Sequence, residues 1–493
     1  MNVISTRNKH HSVSALSAVL KGISPDGGLF VPEHFPALDL EEVVEAALSG
    51  YTSVATLVMS KYFDIDASDL AGLLKRAYSR FDDPAVVPLR KLTGEQFIME
   101  LFHGPTLAFK DMALQVLPRL ISTALEVERQ DKDVLILTAT SGDTGKAALE
   151  GFKDVPRTAI YVFYPEDGVA PMQRLQMITQ EGGNTGVCAV KGNFDDAQTG
   201  VKNLFADKAF NERAAGMGMS LSSANSINIG RLIPQVAYYV YSYGKLVADG
   251  EVKRGQPVNF CVPTGNFGNI LAAWYAMQMG IPVNKLICAS NRNNVLTDFF
   301  KSGSYDIKRK FHKTMSPSMD ILISSNLERL LFEISGRDDK ATRHWMDALK
   351  SEGQYALTPT AVNELSKSFY ADYCTEEETA AAIRQVFEKY GYLMDTHPAV
   401  AQRVYKKYLQ NTGDSTPTLI ASTAHPMKFT QDVLKAVSDV YEDDAFTAAQ
   451  RLSEITGVAI PGQIRELANK KVLHPGSVAK DGLGGAVIDF LQQ

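Results

Sequence analysis

The stretch V-N-F-C-V-P-T-G-N-F-G-N-I-L-A-A-W-Y-A-M (258–277) decides how the rest of the chain is read. It opens with an apolar, β-rich run, turns through two glycines, and continues as a helical pattern from Ile270. An apolar strand, a Gly turn and a helix make up the repeating unit of a parallel α/β layer. In an open α/β sheet, ligands bind at the carboxyl ends of such strands. Gly265 and Gly268 let the backbone approach an anion closely, and the helix N-terminus aims amides and a partial positive charge at it. By itself the segment serves equally well as a tight strand-to-helix turn.

The same unit recurs on both sides. V-L-I-L-T-A-T (134–140), T-A-I-Y-V-F-Y (158–164), K-L-I-C-A-S (285–290) and P-T-L-I-A-S-T (417–423) read as strands, each followed by a helical pattern. Residues 1–90 read differently. After a turn and brief extended stretch at D-G-G-L-F-V-P (26–32), residues 38–48 and 67–78 have amphipathic helical spacing. T-E-E-E-T-A-A-A-I-R-Q-V-F-E-K-Y (375–390) starts with a capping threonine and an acidic first turn. With 493 residues the chain exceeds one hydrophobic core. The expected division is a mostly helical N-terminal domain (1–90), a larger α/β domain (91–130 and 246–493) and a smaller α/β domain (131–245).

Fifty basic residues against 56 acidic ones give a net charge of −6, with no long basic run. That balance argues against nucleic acid or an anionic membrane as the main partner, and leaves local cations free for a small phosphorylated ligand. The four cysteines, Cys188, Cys261, Cys288 and Cys374, show no C-x-x-C spacing, so no disulfide framework or metal motif is expected. The start of the chain is polar and lacks an apolar signal core, and no run approaches the roughly 20 apolar residues of a membrane span. A cytoplasmic protein is expected.

Lys110 stands in F-H-G-P-T-L-A-F-K-D (102–111), flanked by Ala108, Phe109 and Met112 at the start of a helical pattern. Partial burial there lowers an ammonium pKa and favours the free amine, the form that attacks carbonyls. T-S-G-D-T-G-K (140–146) fails the P-loop pattern, because Thr140 and Ala147 stand where it needs Gly and Ser/Thr. What remains is a turn offering hydroxyls and amides to a carboxylate or phosphate, or a helix cap made by Ser141 or Asp143. Asp143 is out of place beside an anion, and fits better facing a hydroxyl or a protonated imine. A-S-T-A-H-P-M-K-F (421–429) ends another strand with hydroxyls; Ser422 or Thr423 either bonds a buried heteroatom or caps the next helix. His103 and His425 read equally as acid–base or structural groups, and His397 reads as structural. No residue cluster has metal-ligand spacing. An amine nucleophile with two anion cradles suits pyridoxal 5′-phosphate (PLP) and an amino acid.

H-G-P-T-L-A-F-K-D (103–111), A-T-S-G-D-T-G-K (139–146), P-T-G-N-F-G-N (263–269) and S-T-A-H-P-M-K-F (422–429) follow in that order after the lead S-T-R-N…L-K-G-I-S-P-D-G-G-L-F-V-P-E (5–33). Together they resemble the microbial and fungal branch of the threonine synthase family, over residues 5 to 430. The resemblance implies the PLP fold type II architecture shared with tryptophan synthase β: two open α/β domains, here with a mostly helical N-terminal region. It implies Lys110 as the Schiff-base lysine, and Gly265, Asn266, Phe267, Gly268 and Asn269 at the cofactor phosphate. Thr423, beside Ser422, would meet the pyridine nitrogen. Thr140, Ser141, Gly142 and Thr144 would face the substrate carboxylate, with Asp143 near the cofactor's phenolic oxygen. Many relatives of this fold carry Asn where Asp143 stands, which leaves its role open. The implied reaction converts O-phospho-L-homoserine and water to L-threonine and phosphate. Lys146, Asn225, Ser226, Asn228 and Arg231 are candidates for the substrate phosphate. The alternatives are a serine/threonine dehydratase of the same fold, or a non-catalytic relative that binds PLP or a phospho-amino acid. A monomer or homodimer is expected.

Overall fold

The computed structural model describes residues 1–492 apart from 141, 168 and 170. The larger sheet has six strands, in the order Phe369–Tyr373, Val283–Ser290, Val258–Pro263, Thr418–Ser422, Gln96–Glu100 and Leu89–Lys91. All neighbours are parallel except the edge strand Leu89–Lys91. Val258–Pro263, Thr418–Ser422 and Gln96–Glu100 are buried along their whole length, so they read as continuous rather than alternating apolar runs. The smaller sheet has five parallel strands, in the order Ser477–Val478, Thr185–Val190, Thr158–Pro165, Asp133–Ala139 and Met219–Ser222.

The expected domain division needs three corrections. The N-terminal lead is a sheet: Asn2–Ser5 pairs antiparallel with Asn8–Ser14 and with Phe30–Pro32. Arg7 anchors it to the larger domain through two bonds from its guanidinium to Glu328, 2.9 and 2.8 Å. Helices Leu40–Ser49 and Ala67–Tyr78 follow as expected, capped by Asp39 and Asp66, and a further helix, Tyr51–Ser60, lies between them. Second, the smaller domain does not reach residue 245. The 20-residue helix Ile229–Ala248 packs on the N-terminal helices and on Gly268–Gln278, because its apolar residues surround it on almost every side. Third, the end of the chain returns to the smaller domain. Ser477–Val478 extends the smaller sheet beyond Thr185–Val190, and Leu483–Leu491 packs on that strand and on Phe194–Ala206. P-G-S-V-A-K-D-G-L-G-G (475–485), which holds this strand and the start of this helix, reads as loop in the sequence, and only the long-range pairing reveals its place.

Among the described residues, no helix is long and apolar enough to cross a membrane, and no group of His, Cys, Asp and Glu is arranged to hold a metal.

Candidate active site

Sheet order alone brings three sequence-distant segments together. Val258–Pro263, Thr418–Ser422 and Gln96–Glu100 are consecutive parallel strands, so their carboxyl ends deliver Gly265, Thr423 and the Lys110 loop side by side. The Leu101 N–H donates to the Ser422 carbonyl at 2.9 Å, and the Phe109 N–H donates to the Thr423 carbonyl at 2.8 Å. Within the Lys110 loop, Leu107 takes a left-handed φ of +59°, uncommon for a branched side chain. Asp111 holds that turn by accepting from the Thr106 N–H and hydroxyl, both at 2.7 Å.

Lys110 lines a cleft of about 80 Å³ with Thr140, Gly142, Asp143, Thr144, Gln173, Pro317 and Ser318. Burial pulls its amine down to about 8; Asp143 opposes the shift, while Lys428 and Arg231 add to it. At neutral pH a usable fraction is therefore the free base. Asp143 lies on the helix Asp143–Phe152 of the smaller domain. Its carboxylate meets Lys428 Nζ at 2.8 Å, and accepts from Gln173 Nε2 at 2.9 Å and from the Ser318 hydroxyl at 3.4 Å. Burial would raise its pKa, but Lys428 first and Lys110 second outweigh that and hold it well below the usual range. The geometry thus gives Asp143 a lysine ammonium and the Ser318 hydroxyl as partners. Lys428, Gln173 and Ser318 were not picked out from sequence, although Lys428 stands inside the quoted S-T-A-H-P-M-K-F run.

The Gly265–Asn269 loop opens the helix Gly268–Gln278. Phe267 adopts φ +67°, and its ring is buried against Phe300 and Phe369, so any part it plays at an anion comes from its backbone. Asn269 Oδ1 accepts from the hydroxyls of Tyr238 at 2.5 Å and Tyr239 at 2.6 Å, while its Nδ2 is buried with no partner among the described residues. A buried, oriented amide donor beside a helix N-terminus fits the phosphate of PLP. The two glycines differ. A Cβ on Gly265 would lie 2.7 Å from the Ser318 carbonyl oxygen, whereas one on Gly268 would make ordinary contact with Asn326 Nδ2 at 3.4 Å. Gly265→Ala is therefore expected to destabilise the apoprotein by about 1–3 kcal/mol through overpacking. Gly268→Ala is expected to leave apoprotein stability within about 0.5 kcal/mol and to weaken PLP binding instead. Denaturant titration and PLP titration check both, and unchanged PLP affinity in Gly268→Ala would remove the loop from the cofactor.

The remaining candidates divide. Thr140 is an internal brace: its hydroxyl accepts from the Gly142 N–H at 3.1 Å and the Gly145 N–H at 3.0 Å. Ser141 lies outside the described residues. Lys146 is not in the Lys110 cleft. Its Nζ bonds Glu150 at 3.0 Å and Gln180 at 2.6 Å, in a separate cavity of about 200 Å³ lined also by Arg80 and Lys470. Glu150, one helical turn further on, and Gln180 hold it there. Asn228 is also corrected: its Oδ1 caps the Gly230 N–H and its Nδ2 donates to the Val19 and Ser223 carbonyls, leaving nothing for a ligand. Asn225 is exposed, and the Ser226 hydroxyl accepts from Asn326 Nδ2 at 3.4 Å. Arg231 remains. It is buried, donates from Nη1 to the Ala224 carbonyl at 3.0 Å, leaves Nε without a partner, and has no acidic partner among the described residues. Burial alone pulls it down to about 10.

The histidines are structural in their contacts. His397 Nδ1 is 2.7 Å from Asp395, and Nε2 accepts from the Ser318 N–H at 3.1 Å. His425 Nδ1 accepts from the Met427 N–H, and burial lowers its pKa to about 4. His103 lies between Asp82 at 2.7 Å and Glu100 at 3.0 Å. Burial would lower its pKa, but the two carboxylates outweigh that and raise it to about 9. Because this exceeds the unfolded value of about 6.5, its stabilisation is complete below that pH and fades as pH rises through 9. Thermal unfolding from pH 6 to 10 should show a loss in the wild type that His103→Gln lacks. Parallel curves would mean the imidazole carries no such charge.

Comparison with known proteins agrees with this arrangement. Family models for "Threonine synthase N terminus", "Pyridoxal-phosphate dependent enzyme" and "Threonine synthase, C-terminal" match residues 2–78, 85–420 and 398–470. The chain is 40% identical to a threonine synthase of Pseudomonas aeruginosa, over 88% of this chain and 90% of that protein. It is 42% identical to human threonine synthase-like 1, over 85% of this chain but only 57% of the human protein's length. A crystal structure of PLP-bound threonine synthase from Brucella melitensis superposes with a TM-score of 0.89 at 35% identity, covering all of both chains. The fold is the α/β fold type II of PLP enzymes, and the chain belongs to the threonine synthase family of PLP-dependent enzymes.

Proposed function

We propose that this chain is a threonine synthase, converting O-phospho-L-homoserine and water to L-threonine and phosphate. The observation that carries the reading is a pair of groups: the depressed Lys110 amine, and the buried Arg231 guanidinium whose charge reaches it and which has no acidic partner among the described residues. Lys110, the Gly265–Asn269 amides, the Asn269 side chain and Thr423 would hold PLP. Bound there, PLP supplies an electron sink that stabilises negative charge next to Cα and, by conjugation, at Cβ. Lys110 then serves as the base, with a pKa near enough to neutrality to take and return protons at Cα and Cβ. Arg231 holds the substrate phosphate and neutralises it as the Cγ–O bond breaks. Thr144 lines the same cleft as Lys110, where it would receive the substrate carboxylate.

Isotopes separate this chemistry from simple phosphate hydrolysis. Cleavage of Cγ–O sends the bridging oxygen out with phosphate, and solvent oxygen enters only at Cβ. In ¹⁸O-water the expected product is threonine labelled in its hydroxyl, with unlabelled phosphate at early times. In deuterated water, deuterium is expected at Cα and in the new methyl group. Labelled phosphate accompanied by unlabelled homoserine would end the proposal.

A further inference from the structure

Lys428 has no part in the chemistry described so far, yet it is built into the site. It is 3% exposed and reaches from the end of the Thr418–Ser422 strand across the Lys110 loop. There its Nζ donates to the Thr106 carbonyl at 3.0 Å and meets Asp143 Oδ1 at 2.8 Å. The contact spans the two domains, since Asp143 belongs to the smaller one. Two amines, Lys428 and Lys110, thus face one carboxylate, while Arg231 adds its charge at Lys110. A buried carboxylate facing a single amine would hold that amine's proton, because charges attract far more strongly there than in water. We propose that Lys428 is a positioning residue for the reaction: its ammonium neutralises Asp143, so that Asp143 does not hold the proton of the Lys110 amine. This rests on Lys110 being the amine that takes the cofactor.

The neighbouring charges leave Lys428 in that role. Asp111 also feels the Lys428 charge, but each of its oxygens accepts a hydrogen bond from Thr106 and it makes no ion pair with Lys428 among the described residues. Glu150 is engaged by Lys146 and Arg80. His397 faces Asp143 from the helix Thr396–Thr412, but its ring is held by Asp395 and the Ser318 N–H. Gln173 and Ser318 give Asp143 neutral donors only. Lys428 is therefore the ion that balances Asp143 while Lys110 is neutral.

The test reads Lys110 itself, in the full-length apoprotein. Trace acetylation against pH, mapped by peptide mass spectrometry, gives the midpoint of the Lys110 amine, and the pH dependence of PLP attachment gives an independent reading. Lys428→Met is expected to raise the midpoint by about one pH unit or more, leaving about tenfold less free amine at pH 7. Lys428→Arg should restore it. The pair Asp143→Asn with Lys428→Met, which removes both charges, should bring it back to or below the wild-type value. A double variant that folds where Lys428→Met alone does not would also support the pairing. An unchanged midpoint in Lys428→Met, or failure of both variants to fold, would overturn the inference and leave Lys428 a structural group. A wild-type Lys110 that never takes PLP would instead overturn the reading of the site on which the inference rests.

Discussion

Lys110→Ala is expected to lose turnover by on the order of 10⁴-fold or more, while still binding PLP. The loss is large because one amine performs two tasks: it joins the cofactor covalently, then moves protons at two carbons. Retention is expected because the Gly265–Asn269 loop, with the unpartnered Asn269 Nδ2, stands on a separate strand from Lys110. The wild-type holoprotein should be yellow, and borohydride should fix PLP on the peptide containing Lys110. The variant should show no fixed cofactor and an altered visible band. Lys146 is the competitor to exclude. It is bonded to Glu150 and Gln180 in another cavity, which makes it a poor nucleophile. Label recovered on Lys146 would overturn the assignment.

The strands and the order of the loops were legible because they are written locally. Continuous apolar runs ending in glycines mark buried parallel strands, and Thr375 followed by Glu378 marks a capping box that the structure contains. The burial of Lys110 was legible from its apolar neighbours in sequence, although the groups that line its cleft are mostly polar and come from distant segments. Lys146 and Asn228 misled because polar residues next to a motif inherit its meaning only if their side chains point the same way. Lys146 is engaged by Glu150 and Gln180 in a separate cavity, and Asn228 is engaged as a helix cap. Lys428 was inside a quoted motif and still invisible as a site residue. Its role depends on a carboxylate 285 positions earlier, and no local pattern encodes that meeting. The same holds for Ser477–Val478, two residues whose place is fixed by pairing across the molecule rather than by their own propensity.

Replacing Arg231 by methionine should separate function from stability. In the apoprotein Arg231 is buried with one bond from Nη1, an unpartnered Nε and no acidic partner among the described residues. Keeping a charge and an unmade donor in such a place costs more than one neutral hydrogen bond returns. Methionine of similar reach removes the charge and leaves only the Ala224 carbonyl without that donor. Apoprotein stability is therefore expected to stay level or rise by about 1–2 kcal/mol. Catalysis should move the opposite way. A buried guanidinium opposite a dianionic phosphate is the kind of contact whose loss reduces kcat/KM on the order of 10³-fold. Opposite signs are the signature of a group retained for its ligand at the expense of the fold. Denaturant midpoints of the apoprotein and steady-state rates on phosphohomoserine read the two effects separately. If the variant instead unfolds more easily and keeps its turnover, Arg231 is a brace and the substrate phosphate must lie elsewhere. If it keeps turnover only on an unphosphorylated amino acid, the dehydratase alternative replaces the threonine synthase reading. A stabilised, inactive variant that still binds PLP is the expected result, and it would make the empty guanidinium the strongest mark of function in this chain.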